Sequence, residues 1–316
     1  MMRATKQPGG VALLTALILL AVTSAIAFAM SFDTGLAIRR SAGAVATEQA
    51  AQLAAAAEAL AAELLAEQLE DSTATVHGGQ NWASQFGPVE IVPGAILEAR
   101  LQDLQGRFNI NALVSADGSP APRARETFIA LLTSIEVEAD LADQIIDWLD
   151  PNTIAVTGGA EDARYSGLVP GYRTPNRSLT STSELLQLPQ MDLPRYRRLE
   201  PHITALPRDA GLNVCTASGA LLDALAGETQ WGEALEALQR NRGDGCFPRL
   251  DALRNAARSP DEFAALASEL ALGETSRYFA LESRITVGTS THTLYSLLRH
   301  DGQARQVRVI LRQTAP

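Results

Sequence analysis

The chain has 316 residues, enough for one large domain or two ordinary ones, and a formal net charge of −10 at pH 7. That acidity argues against nonspecific binding to nucleic acid or anionic lipid as its main task, because neutralising phosphate needs clustered Lys and Arg. Aromatic residues make up only 5% of a chain rich in alanine, which favours a helical majority.

At the N-terminus Arg3 and Lys6 precede Val11–Phe32, 22 residues without a charge. A helix crosses the hydrocarbon core with about 20 apolar residues. The positive-inside rule then keeps the first ten residues cytoplasmic and puts everything after Phe32 across the membrane. A secretory signal has an apolar stretch of about 7–15 residues and a small-residue end. Ala25-Ile26-Ala27 imitates that end, but the run is too long and continues through Phe28 and Met30. From Glu48 to Glu70 nearly every residue is a strong helix former, and no proline interrupts Val11 to Glu70. One helix over that span would be about 90 Å long. A disposable leader does not need such a rod; a plain single-pass anchor is the other reading.

Residues 71–95 are rich in Gly, Pro, Ser and Thr and read as a loop, with a short strand near Val89–Val92. Ala95–Asp103 reads as a strand, and Gly106 as a break. From Asn111 to about Ser276 the pattern turns helical. PRARETFIALLTSI and EADLADQIIDWL carry apolar residues at three- and four-residue spacing. Ser181 with Glu184 and Ser259 with Glu262 fit capping boxes, the second with Pro260 at the first helical position. The last segments, RYFALESRITVG, THTLYSLLRH and ARQVRVILRQ, read as an antiparallel meander with Asp301-Gly302 as a turn signal.

The basic leader ending in glycine, the apolar helix and the stalk resemble the class III signals of type IV pilins and type II secretion pseudopilins. The phrases GRFNINAL, IIDWLDPN, GGAEDARY, STSELLQLPQMDLPRYRRLEPHITALP and GLNVCTAS, in that order, resemble the K minor pseudopilins of type II secretion. This likeness runs over essentially the whole chain. Its departures are Asn152, where many members have Asp, and Cys215, which interrupts an N-x-N-T-A-like phrase. The resemblance implies an α+β fold: a type IV pilin-like N-terminal helix packed on an antiparallel sheet, with a large all-α domain inserted in the head. The implied divisions are a leader 1–10, a transmembrane and assembly helix 11–32 and its periplasmic continuation 33–70. The first part of the head would be 71–110, the inserted helical domain 111–275 and the closing strands 276–316.

The same resemblance implies prepilin peptidase cleavage between Gly10 and Val11, with N-methylation at Val11; the paired small glycines suit an extended backbone entering a protease. Most pilins carry Glu at the fifth mature position, here Thr15, and the K proteins lack it. A carboxylate inside a bilayer costs about 2.5–3.5 kcal/mol on insertion scales unless paired, and a subunit with no neighbour ahead has nothing to pair it. A threonine can return its hydroxyl to its own helix. The implied role is a non-enzymatic subunit that caps the pseudopilus tip with the I and J minor pseudopilins above the major pseudopilin. It would nucleate assembly from the inner membrane, with its head in the periplasm and no nucleic acid as partner. The alternative is a type IV pilus or competence minor pilin that touches DNA.

Three candidate sites follow. DWLDPNTIAVTGGAEDARY gathers hard oxygens near Pro and Gly turns, the donor type Ca2+ takes, though not at EF-hand spacing. The resemblance implies calcium in the inserted domain and is carried to Asp150, Asn152, Glu161 and Asp162. Asp147 reads as a helix-surface residue, and a solvated acidic loop is the plain alternative. Cys215 and Cys246 read as an oxidised pair if this region lies outside the cytosol, and otherwise as two buried thiols. ELLQLPQMDLPRYRRL resembles a helix-hairpin-helix, but Leu188-Pro189-Gln190-Met191 lacks the glycines that let a backbone approach phosphate. Arg195, Arg197 and Arg198 are its basic cluster. The histidines, His77, His202, His292 and His300, are scattered, and no HExxH, GxSxG or phosphate loop occurs.

Overall fold

The computed structural model describes residues 9–69, 75–227, 231, 245–257, 259–302 and 306–315. A single proline-free helix, α1 (Gly9–Gln68, 60 residues), opens it. The helix takes in Gly9 and Gly10. Glu70, the expected end, lies outside the described residues. By length and composition α1 can cross a membrane. Its apolar side chains from Val11 to Phe32 all face outward.

Burial begins at Ala50 and continues through Ala54, Glu58, Ala61, Leu65 and Leu69. Those steps of three and four residues draw one stripe along a 3.6-residue helix. The stripe lies on a five-stranded antiparallel sheet of order β1-β2-β5-β6-β7. Its strands are β1 (Phe86–Val92), β2 (Ala95–Asp103), β5 (Tyr278–Val287), β6 (Ser290–Asp301) and β7 (Gln306–Ala315). Phe279, Leu281, Ser283 and Ile285 alternate toward α1, as the two-residue period requires. Leu294, Ser296 and Leu298 do the same on β6. Between β6 and β7, Gly302 begins the turn and residues 303–305 lie outside the described set.

β2 and β5 are adjacent, paired from Ala95↔Val287 to Asp103↔Phe279. The chain between them therefore leaves and rejoins the sheet at one end. This insert has its own core around Phe108, Phe128, Leu131, Leu132 and Ile145. It carries α2 (Pro122–Ser134), α3 (Leu141–Leu149), α4 (Asp162–Tyr165), α5 (Leu193–Leu199), α6 (Gly219–Ala226), α7 (Leu250–Ala256) and α8 (Pro260–Glu269). It is not purely helical. Two-residue strands β3 (Phe108–Asn109) and β4 (Ile203–Thr204) pair in parallel at its base. Ser181 forms the full capping box with Glu184. Ser259 caps α8 through Glu262 N–H, while the Glu262 carboxylate turns to Arg123.

A buried polar hub sits where insert and sheet meet. The Asp103 carboxylate accepts hydrogen bonds from Ser276 Oγ (2.6 Å), Thr216 Oγ1 (2.6 Å) and Asn213 Nδ2 (3.0 Å). Gln105 donates to Gly211 O at 2.7 Å and accepts from the Arg277 N–H at 2.6 Å. Gly106 has to be glycine here: a Cβ would stand 2.5 Å from the Thr216 carbonyl oxygen.

Candidate functional site

The first functional surface is the helix itself. Thr15 Oγ1 donates to Ala12 O at 3.0 Å, so the polar atom inside the apolar run is satisfied within its own turn. Farther along, Glu58 stands in the middle of the apolar stripe. Its carboxylate takes Ser296 Oγ from β6 at 2.5 Å and Arg312 Nη2 from β7 at 2.7 Å. This clasp fixes the stalk against the sheet, and sequence reasoning missed it, because its partners are more than 200 residues away.

The second is the acidic loop. α3 is buried on every side, so Asp147, expected at the helix surface, is fully enclosed; this corrects that expectation. A carboxylate in such a place needs a partner. Asp147 Oδ1 accepts from Val156 N–H at 3.0 Å, and Asp150 Oδ1 from Asn152 N–H at 3.1 Å. Glu161 Oε2 accepts from Thr174 Oγ1 at 2.9 Å. In each case the other oxygen (Asp147 Oδ2, Asp150 Oδ2, Glu161 Oε1) is buried with no hydrogen-bond partner. Burial, together with the charges of Glu161 and Asp150, pushes Asp147 up to about 6. Burial also raises Asp150 and Glu161. At Gly159 a Cβ would collide with the Asp147 carboxylate, so only glycine lets the loop pass this close.

Of the four residues expected to bind metal, the structure brings Asp150 and Glu161 into this cluster, with Asp147 beside them. Asn152 and Asp162 adjoin it, with side-chain oxygens already engaged. Asn152 Oδ1 accepts from Ile154 N–H, and Asp162 is engaged by Thr174 and Arg173. Three orphaned carboxylate oxygens are the donors a hard divalent cation takes, and their chemistry fits Ca2+. Their spacing is looser than one closed shell. Among the described residues, the trio of His, Cys, Asp or Glu with ligand atoms all within 4.8 Å is Cys215, Cys246 and Glu274. Those two sulfurs form a disulfide, with Cα atoms 4.6 Å apart across 31 residues, which leaves no thiolate for a metal.

The basic cluster is largely neutralised: Arg195 pairs with Glu138 and Asp192 at 2.6 Å each, and Arg198 lies 3.9 Å from Glu136. His77 precedes β1, His202 precedes β4, and His292 and His300 are on β6.

A long apolar-to-amphipathic helix laid across one face of an antiparallel sheet defines the type IV pilin-like class of subunit, here with a helical insert between two neighbouring strands. The family described as type II secretion system (T2SS), protein K, matches residues 106–208. Type II secretion system protein K of Aeromonas hydrophila is 38% identical over 221 residues, 66% of either chain. That of Pseudomonas aeruginosa is 33% identical over 96% of this chain and 92% of the relative. That of Pectobacterium carotovorum is 31% identical over 96% and 95%. A chain in the crystal structure of the GspK-GspI-GspJ complex from the enterotoxigenic Escherichia coli type 2 secretion system superimposes with a TM-score of 0.74. It is 27% identical and matches 88% of this chain and 99% of that one. The chain belongs to the type II secretion system protein K family.

Proposed function

We propose that this chain is a tip subunit of the type II secretion pseudopilus, joined to I and J minor pseudopilins and held in the inner membrane by Val11–Phe32 before assembly. The observation that carries the reading is the match of helix, sheet and insert together to a chain solved in a K–I–J complex. The membrane segment is exposed along its length, as a helix awaiting lipid or neighbouring helices must be. Cleavage after Gly10 would leave Val11 as the new, methylated N-terminus, with Thr15 at its fifth position. The head would lie in the periplasm, where the disulfide is at home. The insert would stand above the helix packing and block further addition in front, so that growth above the major pseudopilin runs one way.

The insert would carry a structural Ca2+ held by Asp147, Asp150 and Glu161, with Asn152 and Asp162 in supporting positions. The ion supplies the positive charge that lets three buried carboxylates stay ionised together.

The test is co-purification in detergent of the full-length chain with the I and J subunits of its own system. A stable ternary complex is expected, and failure to associate with either would sink the assembly role. Mass spectrometry of the same sample should find methylated Val11 at the N-terminus; an intact Met1 would contradict the processing step.

A further inference from the structure

The cation site lacks oxygens if it consists of carboxylates alone, since Ca2+ takes six to eight. The segment 174–176 (Thr-Pro-Asn) is hydrogen-bonded to the same loop at both its ends, through Thr174 and Asn176. Thr174 Oγ1 lies 2.9 Å from Glu161 Oε2 and 3.0 Å from Asp162 Oδ1, while the Thr174 N–H donates to Asp162 Oδ1 at 2.9 Å. With Asp162 already served by the backbone, the single hydroxyl proton is free for Glu161, and that bond turns Glu161 Oε1 to the buried, unpartnered side.

Two residues on, Asn176 repeats the pattern of the three carboxylates. Its Nδ2 donates to Asn152 O at 2.5 Å, in the turn that also pins Asp150. Its Oδ1 is buried with no partner. Asn176 holds a left-handed backbone (φ 47°), which Asn and Asp tolerate better than other side chains. Four side chains thus each spend one polar atom on being held and leave one oxygen unpaired.

We propose that Thr174 is the positioning residue of the cation site and that Asn176 Oδ1 is a neutral ligand in it. This rests on the reading of the acidic loop as a cation site. Outer-shell partners of metal ligands are typically worth 10–100-fold in affinity.

The aromatic cluster supplies a readout. Burial holds the Tyr165 hydroxyl well above its ordinary range, with the Asp147 and Glu161 charges adding to the rise, and its ring stands 5.3 Å from that of Trp148. Tb3+ in the site should therefore luminesce on aromatic excitation and be displaced by Ca2+. In the full-length chain in detergent, Thr174→Val should weaken Ca2+ competition 10–100-fold, with Thr174→Ser within threefold of wild type. Asn176→Asp keeps an oxygen and adds a charge, so Ca2+ should bind at least threefold tighter, even though the lost Nδ2 donor lowers the melting temperature in chelator. If wild type gives no Ca2+-displaceable signal, the cation site itself is wrong. If wild type binds and Thr174→Val stays within threefold of it, the positioning role falls. Asn176→Asp with unchanged or weaker binding removes Asn176 from the shell.

Discussion

Glu58 is a charge on a stripe otherwise made of Ala and Leu, and its neighbours decide whether it is tolerated. Burial alone would raise its carboxyl; hydrogen bonds from Arg312 and Ser296 and the Arg312 charge outweigh that and hold it below the usual value of 4.5. A depressed folded-state value means that the ionised carboxylate stabilises the fold fully above pH 4.5, and that this is lost as pH falls through the folded value. The stability difference between wild type and Glu58→Gln, followed by denaturant melts, should therefore shrink below pH 4.5; a difference constant down to pH 3 would contradict it. Ser296→Ala removes one hydrogen bond to a buried charge and should cost about 1.5–3 kcal/mol. Arg312→Ala should destabilise further, because it leaves the carboxylate without its cation.

At the scale of elements, the insert is held by both core and covalent closure. Phe108 and Phe128 stack 5.0 Å apart between β3 and α2, so the base of the insert and its first long helix share one core. The disulfide ties the segment before α6 to the segment before α7. Closing a loop of about 30 residues contributes roughly 3–4 kcal/mol in the chain-entropy account. The Cys215→Ser/Cys246→Ser variant should lose about that much in urea melts. A loss below 1 kcal/mol would mean that the reduced chain is already confined there. α3 shows why an amphipathic reading can fail: an element buried on every side hides its acids with its apolar residues, and Asp147 then meets Asp150 and Glu161 and not solvent.

The whole molecule depends on the hub around Asp103. It joins the end of β2, the insert through Asn213 and Thr216, and the approach to β5 through Ser276. Sheet and insert should therefore melt together. Calorimetry of the wild-type chain should give one transition for head and insert. Asp103→Ala, which takes the acceptor from the Ser276 and Thr216 hydroxyls while Asn213 keeps Val76 O, should cost about 1–3 kcal/mol for a buried donor left unpaired, lower the melting temperature and separate the two. An unchanged single transition in that variant would show that apolar packing alone couples them.

The rod, the membrane-length run, the strands of the large sheet and the two capped starts were legible in the residues, because each arises from local periodicity, propensity or capping within a few positions; the paired short strands β3 and β4 were not. Most of the wording that marks the family lies in the insert, and it drew Asp150 and Glu161 into one candidate set; that each keeps a buried oxygen without a hydrogen-bond partner is a property of the folded loop. Asp147, Thr174 and Glu58 were not legible. Whether Asp147 faces water depends on what packs around α3, and Thr174 acts on Glu161 from 13 residues away. The Arg312 that answers Glu58 stands 254 residues downstream. Helix and strand are set by neighbours along the chain; burial of a charge, and therefore its partner and its work, is set only when distant segments meet.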